Sequence, residues 1–112
     1  MTPEGKVKKR VKDLLSEYGA DMYSHWPVIN GMGAPSLDMI GCFKGRFIAV
    51  ETKAGTKTFT ERQKITAERI MSAGGKVILV NDVSGFDDLK EWLESVNSQG
   101  NEKHSPPSKE SK

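Results

Sequence analysis

Three charged residues in two apolar runs have the types and spacing needed for phosphate chemistry. Asp38 lies in the apolar run 37–43, and Glu51 and Lys53 end a second run, 45–53. Side chains alternate between the two faces of a strand, so Glu51 and Lys53 share one face. If the two runs pair as neighbouring strands, all three charged side chains meet at one end of a sheet.

The chemistry that this group favours is metal-assisted hydrolysis of a phosphate ester. Carboxylates on neighbouring strands, roughly 4.8 Å apart, can share a hard cation such as Mg²⁺, bound at about 2.1 Å. Such a metal polarises a phosphoryl group and lowers the pKa of a bound water. Lys53 would position that water or stabilise charge developing on the phosphate. The spacing alone slightly favours another interpretation, an exposed ion pair between Glu51 and Lys53, because an acid-x-Lys tripeptide is common.

Three helices are predicted around these strands. The first opens at Thr2, with proline and an acid in its first turn, and ends at Gly19. The second opens at Thr60 and ends at 74–75, and the third opens at 84–88. The inward positions of the second helix are expected to be Ile65 or Thr66, together with Ala67, Ile70 and Met71.

Four strands complete the predicted domain. Residues 21–30 form an interrupted or edge strand because a proline lies inside them. The two runs described above follow, joined by a tight turn at Lys44 and Gly45. Residues 77–80 are a continuous apolar run, typical of a buried central strand. The order α-β-β-β-α-β-α, with a helical crossover before the last strand, predicts an α/β or α+β fold with a mixed β-sheet flanked by helices.

Composition limits the class of protein. At 112 residues the chain holds one domain, which we place at 1–97, and a polar, disordered tail at 98–112. No window is long and apolar enough for a membrane span or a signal peptide. The presence of a single cysteine, Cys42, excludes an internal disulfide and fits a reducing, intracellular setting. Because Cys42 lies in an apolar strand, we expect its side chain to be buried.

The order of several short motifs resembles a known nuclease family. Asp38 is followed after twelve residues by Glu51-Thr52-Lys53, which resembles the signature of the PD-(D/E)XK nuclease superfamily. Together with residues 31–35, 41–47, 51–55 and 60–63, this order is similar to the small stand-alone VRR-NUC proteins of phages and bacteria. The likeness covers roughly residues 4–82 and implies a restriction-endonuclease-like core. Leu37 stands where that family usually has proline, and leucine leaves the strand and the acids in place.

The resemblance implies a role for each matching residue. Asp38 and Glu51 match the metal-binding acids, Lys53 matches the catalytic lysine, and the Thr52 carbonyl matches an additional metal ligand. Two further residues match catalytic positions, namely Glu4 and Gln63. Both also have structural interpretations, because an acid is favoured in any first helical turn and Thr60-x-x-Gln63 forms a capping box.

The expected function is a Mg²⁺- or Mn²⁺-dependent endonuclease that cuts DNA. The resemblance further implies branched DNA or Holliday junctions as substrates and a homodimer as the active form. Phosphate contacts are expected from Lys57, Arg46 and Arg62, which we place around the cleft, and from Lys9 in the basic stretch 6–12. A solvated helix face is an equally good interpretation of that stretch.

Two alternatives remain from other classes of protein. One is a DNA-binding module that keeps the nuclease fold but has lost catalytic activity. The other is a scaffold or interaction protein, in which the charged residues at the strand ends are only part of the exposed surface. Among the aromatic residues, Tyr23 and Trp26 are expected to pack in the core, whereas Phe59 is a candidate for base stacking. His25 is expected to be structural, because a lone histidine is seldom a metal ligand.

Overall fold

The computed structural model describes residues 1–28 and 36–103, with side chains described as far as residue 99. The predicted order of elements is confirmed, with one added 3₁₀ turn at Gly19–Asp21. The helices and strands are α1 (Pro3–Ser16), β1 (Met22–His25), β2 (Met39–Phe43), β3 (Arg46–Thr52), α2 (Glu61–Ser72), β4 (Lys76–Val80) and α3 (Phe86–Lys103).

The strands form one mixed sheet in the order β1-β2-β3-β4. The first three strands pair antiparallel, whereas β4 lies parallel to β3. The parallel pair is possible because α2 carries the chain back across the sheet between these two strands. The fold is therefore α+β, with a mixed sheet flanked by helices.

The larger core lies between α1, α3 and one face of the sheet. Alternation along β3 directs Ile48 and Val50 to this face, and the apolar stripe of α1 supplies Val7 and Val11. Phe43 is fully buried at its centre, where its ring contacts those of Tyr18 and Trp92, with centroids 5.2 Å and 6.1 Å away. Trp26 packs against the same core, as predicted.

A smaller core lies on the opposite face, under α2. Its fully buried members are Leu37, Ala49 and Ala67, and the predicted base-stacking residue Phe59 packs against them. Thr66 is half-buried, while Ile65 is exposed, which resolves the choice between these positions. Met71 was expected to point inward, but 51% of its surface is exposed, because it lies at the margin of the buried stripe of α2, one residue before the helix ends.

The hairpin between β2 and β3 turns at the predicted dipeptide. Lys44 and Gly45 both have positive φ, 50° and 86°, as a two-residue turn matching the strand twist requires. Positive φ is sterically unfavourable for lysine, because its Cβ atom crowds the backbone. Contacts with Asp21 hold it there, since the Lys44 amide donates to the Asp21 carbonyl at 3.4 Å and its ammonium lies 3.6 Å from the Asp21 carboxylate.

Two predictions of burial are wrong, and both concern the face of the sheet that α2 partly covers. Cys42 is exposed, and Tyr23, its register partner in β1, has 66% of its surface exposed. Both residues belong to apolar strands, but they lie on the half of this sheet face that α2 does not cover. Period-two alternation identifies the face of a residue and does not show how far a helix extends over that face.

The last helix is longer than predicted, since α3 reaches Lys103 and takes in residues 98–103, which composition placed in the tail. No proline interrupts the chain between Phe86 and Lys103, so a helix already packed on the sheet can continue through polar residues. The motif at 31–35 and the tail at 104–112 lie outside the described residues. Within the described part, no helix has the length and apolar character needed to cross a membrane.

Candidate active site

Asp38 and Glu51 lie opposite each other just beyond the ladder between β2 and β3. The antiparallel register pairs Met39 with Val50, and one further step along both strands brings Asp38 to Glu51. The Asp38 amide donates to Glu51 Oε1 at 3.0 Å, so a side chain continues the pairing where the backbone ladder stops. The two carboxylates therefore meet, as their positions in the sequence predict.

Among the residues that the structure describes, Thr52 alone donates hydrogen bonds to the Asp38 carboxylate. Its Oδ2 atom accepts hydrogen bonds from the Thr52 amide at 3.0 Å and from the Thr52 hydroxyl at 2.7 Å. Thr52 is itself fully buried, so it provides a rigid support. Asp38 Oδ1 accepts no hydrogen bond from the described residues and is available to a ligand.

Glu51 is a buried carboxylate with only partial compensation for its charge. It is 3% exposed, and its Oε2 atom accepts a hydrogen bond from Gln63 Nε2 at 2.9 Å. Burial, followed by the nearby charge of Asp38, raises the pKa of Glu51 from 4.5 to about 7. The Asp38 amide and the Lys53 ammonium act in the opposite direction and do not cancel this effect.

Lys53 lies beside Glu51 on the same face, as alternation predicts. Its Nζ atom is 3.6 Å from Glu51 Oε2, and only 14% of its side chain is exposed. The Lys53 amide donates to the Val80 carbonyl at 3.0 Å, which extends the pairing of β3 with β4 past the last residue of the strand. The ammonium is therefore positioned by the sheet, unlike a surface lysine on a flexible loop.

Gln63 contacts both the N-cap of α2 and the carboxylate of Glu51. Its Oε1 atom accepts from the Thr60 amide at 2.9 Å, and its own amide donates to Thr60 Oγ1 at 3.2 Å, which completes the predicted capping box. Its Nε2 atom remains free to donate to Glu51. The two contacts use different atoms, so capping α2 and holding Glu51 are compatible.

Glu4 acts on the site through space. It lies in the first turn of α1, where Thr2 caps the helix by accepting from the Gly5 amide at 3.0 Å. The charge of Glu4 is among the causes that raise the pKa of Glu51, so the N-terminus of α1 lies within electrostatic range of the carboxylates. The described contacts include no direct hydrogen bond between Glu4 and Asp38, Glu51 or Lys53.

The predicted phosphate contacts fall into two groups. Lys57 and Arg62 are exposed, on the loop after β3 and on the first turn of α2, next to the strand and helix that carry the site. The prediction that Arg46 flanks the site is wrong. Arg46 begins β3, five residues before Glu51, a separation of about 17 Å. Its guanidinium instead donates to Gln99 Oε1 at 3.0 Å and ties β3 to α3.

The basic stretch of α1 makes several contacts within the protein. Lys9 pairs with Asp13 at 2.7 Å on the solvent side of the helix. Lys12 lies 4.9 Å from the centre of the Trp26 ring, and Arg10 lies 4.3 Å from that of Phe86. These contacts give part of the charge a structural role, as expected for a solvated helix face.

Asn81 supports the site in a way that the sequence did not suggest. It is 3% exposed, and its Nδ2 atom donates to the Lys57 carbonyl at 3.0 Å. Its Oδ1 atom accepts from the amides of Val83 and Ser84 at 3.0 Å and 2.9 Å. Asn81 thereby joins the loop after β3 to the loop after β4. The sequence could have identified Asn81 by its position directly after a buried parallel strand, where polar residues often line a site.

The donor atoms of the site fit a hard divalent cation. The two carboxylates offer oxygen ligands, and Mg²⁺ usually takes few protein ligands and completes its shell with water. Burial, followed by the charge of Asp38, raises the pKa of Glu51, and a cation bound here would favour its ionised form. Within residues 1–28 and 36–99, no group of three or more His, Cys, Asp or Glu side chains is arranged to hold a metal ion.

In comparisons with known proteins, no family model matches this chain and no curated protein matches it. The function is therefore inferred from the residues and their geometry.

Proposed function

We propose that this protein is a Mg²⁺- or Mn²⁺-dependent endonuclease of the VRR-NUC type, acting inside the cell on DNA phosphodiester bonds. The observation that carries the proposal is the meeting of Asp38, Glu51 and Lys53 at one end of the sheet. An exposed ion pair would explain Glu51 and Lys53 less well, because Glu51 is buried and has a raised pKa.

The proposed mechanism assigns a task to each group. Asp38, Glu51 and the Thr52 carbonyl would hold the cation, which supplies polarisation of the phosphate and a bound water of lowered pKa. Lys53 would donate to a non-bridging phosphate oxygen and stabilise the negative charge that develops on it in the transition state. Thr52 fixes the Asp38 carboxylate, and Gln63 fixes that of Glu51.

Branched DNA and a homodimer belong to the same proposal. Their support is the likeness of the sequence to the stand-alone VRR-NUC proteins. A two-fold symmetric pair of chains would present two identical sites to the two strands cut in a four-way junction.

The test is a nicking assay on branched and linear DNA in Mg²⁺ and in Mn²⁺. Glu51→Ala and Lys53→Ala should each lower the rate by about 10²-fold or more, since each removes a group that acts on the transition state. Lys90→Ala on α3 removes the same charge as Lys53→Ala, at an exposed position, and should cleave like the unchanged protein.

Two results would decide against this proposal. Cleavage that survives both Glu51→Ala and Lys53→Ala would exclude the mechanism. Binding of DNA without cleavage in either metal would favour a non-catalytic module that retains the fold.

A further inference from the structure

A groove of about 860 Å³ opens on the sheet face that α2 covers only in part. Ile40 and Phe47 line it on the sheet side, and Thr66, Arg69 and Ile70 line it on the helix side. None of these residues belongs to the candidate active site, so the groove is a separate surface.

Both walls of the groove lead to the active site. Ile40 lies two residues from Asp38 on the same face of the chain, which places their side chains about 7 Å apart. On the opposite wall, Thr66 follows Gln63 by three residues, which is nearly one helical turn. A molecule lying in the groove therefore reaches the carboxylates at one end.

The floor of the groove presents aromatic surface to solvent. Phe47 is 44% exposed, although it lies in the central part of the sheet. Tyr23 continues this surface toward the edge, because the register aligns Tyr23, Cys42 and Phe47 across three neighbouring strands. Exposed apolar surface beside a polar site is typical of a binding surface.

The charges along the groove suit a polyanion. Arg69 lines the helix wall, and its guanidinium makes no ion pair or side-chain hydrogen bond with the described residues. Among the described residues that line the groove, none is an aspartate or glutamate. Phosphates can therefore approach without repulsion until they reach Asp38 and Glu51.

We propose that this groove binds an unpaired nucleic-acid strand that runs into the active site. An aromatic floor can stack only with bases that have left a duplex, since paired bases keep their faces inside the helix. From Gln63 to Ala73, the α2 wall is about 15 Å long, enough for a few nucleotides. This inference rests on the proposed nuclease function and specifies its substrate as DNA with a single-stranded segment beside the cut.

Binding can be measured without cleavage by fluorescence anisotropy in EDTA. The probes are a labelled single-stranded oligonucleotide and a blunt duplex that contains the same sequence. Phe47→Thr should weaken single-strand binding by about tenfold, because one stacking contact is lost, and should leave duplex binding unchanged. Val83→Thr, which changes another exposed apolar residue in a loop after β4, should alter neither affinity.

Arg69→Ala tests the charge at an exposed position on α2. It should weaken single-strand binding and reduce the slope of log affinity against log salt concentration by about one. Lys90→Ala, with the same change of charge on α3, should leave that slope unchanged.

Equal losses for Phe47→Thr and Val83→Thr, or equal losses for single strand and duplex, would overturn the proposal. A change in self-association on sedimentation without any change in single-strand affinity would also overturn it, by assigning the groove to a contact between two copies. Lys53→Ala separates this proposal from the nuclease function, since that variant should stop cutting, while Phe47→Thr should still weaken single-strand binding about tenfold in the Lys53→Ala background. If the unchanged protein binds single strands through Phe47 and cleaves no DNA, the nuclease proposal fails while the binding surface stands.

Discussion

Glu51 is the residue at which the requirements of folding and of the proposed chemistry conflict. It is buried on the face of the sheet that carries the smaller core, next to a second carboxylate. The Lys53 ammonium lies 3.6 Å from its carboxylate. Its ionised form is therefore less stable in the folded protein than in the unfolded chain. A cation held by the two carboxylates, as the proposed function requires, would offset this cost.

The metal-free protein should become less stable as pH rises. The pKa of Glu51 is about 7 when folded and 4.5 ordinarily, so its contribution to stability is fully present below pH 4.5 and is lost as pH rises through 7. The expected loss is about 2 kcal/mol between about pH 5 and pH 8. Urea unfolding in EDTA, compared with Glu51→Gln, isolates this contribution. Parallel pH profiles for the two proteins would contradict it.

At the scale of the element, the start of α2 joins helix formation to the site. The capping box sets where the helix begins, and the same residue that completes the box reaches Glu51 through its other side-chain atom. The helix then packs Ala67 against Ala49 and forms one wall of the groove. The residue that completes a local signal for a helix start thus also contacts Glu51 of the candidate site.

Gln63→Glu and Gln63→Ala separate the two roles of this residue. Glutamate keeps the acceptor that caps Thr60 and replaces the donor to Glu51 by a second carboxylate. Gln63→Glu should therefore lower the free energy of unfolding by about 1–3 kcal/mol near pH 8, where the two carboxylates repel each other. The loss should be small near pH 5, because Glu51 is then protonated and can donate a hydrogen bond to the new carboxylate. Gln63→Ala loses both the cap and the donor to Glu51, so it should lower the free energy of unfolding by about 1 kcal/mol near pH 5 and by more near pH 8, where Glu51 is ionised. Urea unfolding measures both, and a pH-independent cost for Gln63→Glu would show that the contact with Glu51 is unimportant.

At the scale of the whole molecule, the larger core and the candidate site lie on opposite faces of the sheet. One face is covered by α1 and α3 and buries the large core around Phe43. The other face carries Asp38, Glu51 and Lys53 and is only partly covered by α2. This division allows the second face to hold repelling charges and exposed aromatic surface, because the first face supplies most of the buried apolar area.

A pair of phenylalanine variants tests that division. Phe43→Ala should cost about 3–5 kcal/mol of unfolding free energy, because it leaves a cavity between Tyr18 and Trp92. Phe47→Ala, on the opposite face and 44% exposed, should cost less than about 1.5 kcal/mol. Urea denaturation midpoints with unchanged slopes provide the comparison. Similar costs at the two positions would show that both faces are equally important for stability.

The sequence by itself determined the order of the elements, the turn at Lys44 and Gly45, the cap at Gln63 and the shared face of Glu51 and Lys53. Each of these depends on neighbours within a few residues, through alternation, capping and turn geometry. Only the tertiary structure decided that Cys42 and Tyr23 are exposed, that Arg46 lies far from the site and that Asn81 holds the loop of Lys57. These outcomes depend on how far α2 extends over the sheet and on which strand ends meet, and such contacts join residues that are distant in the chain.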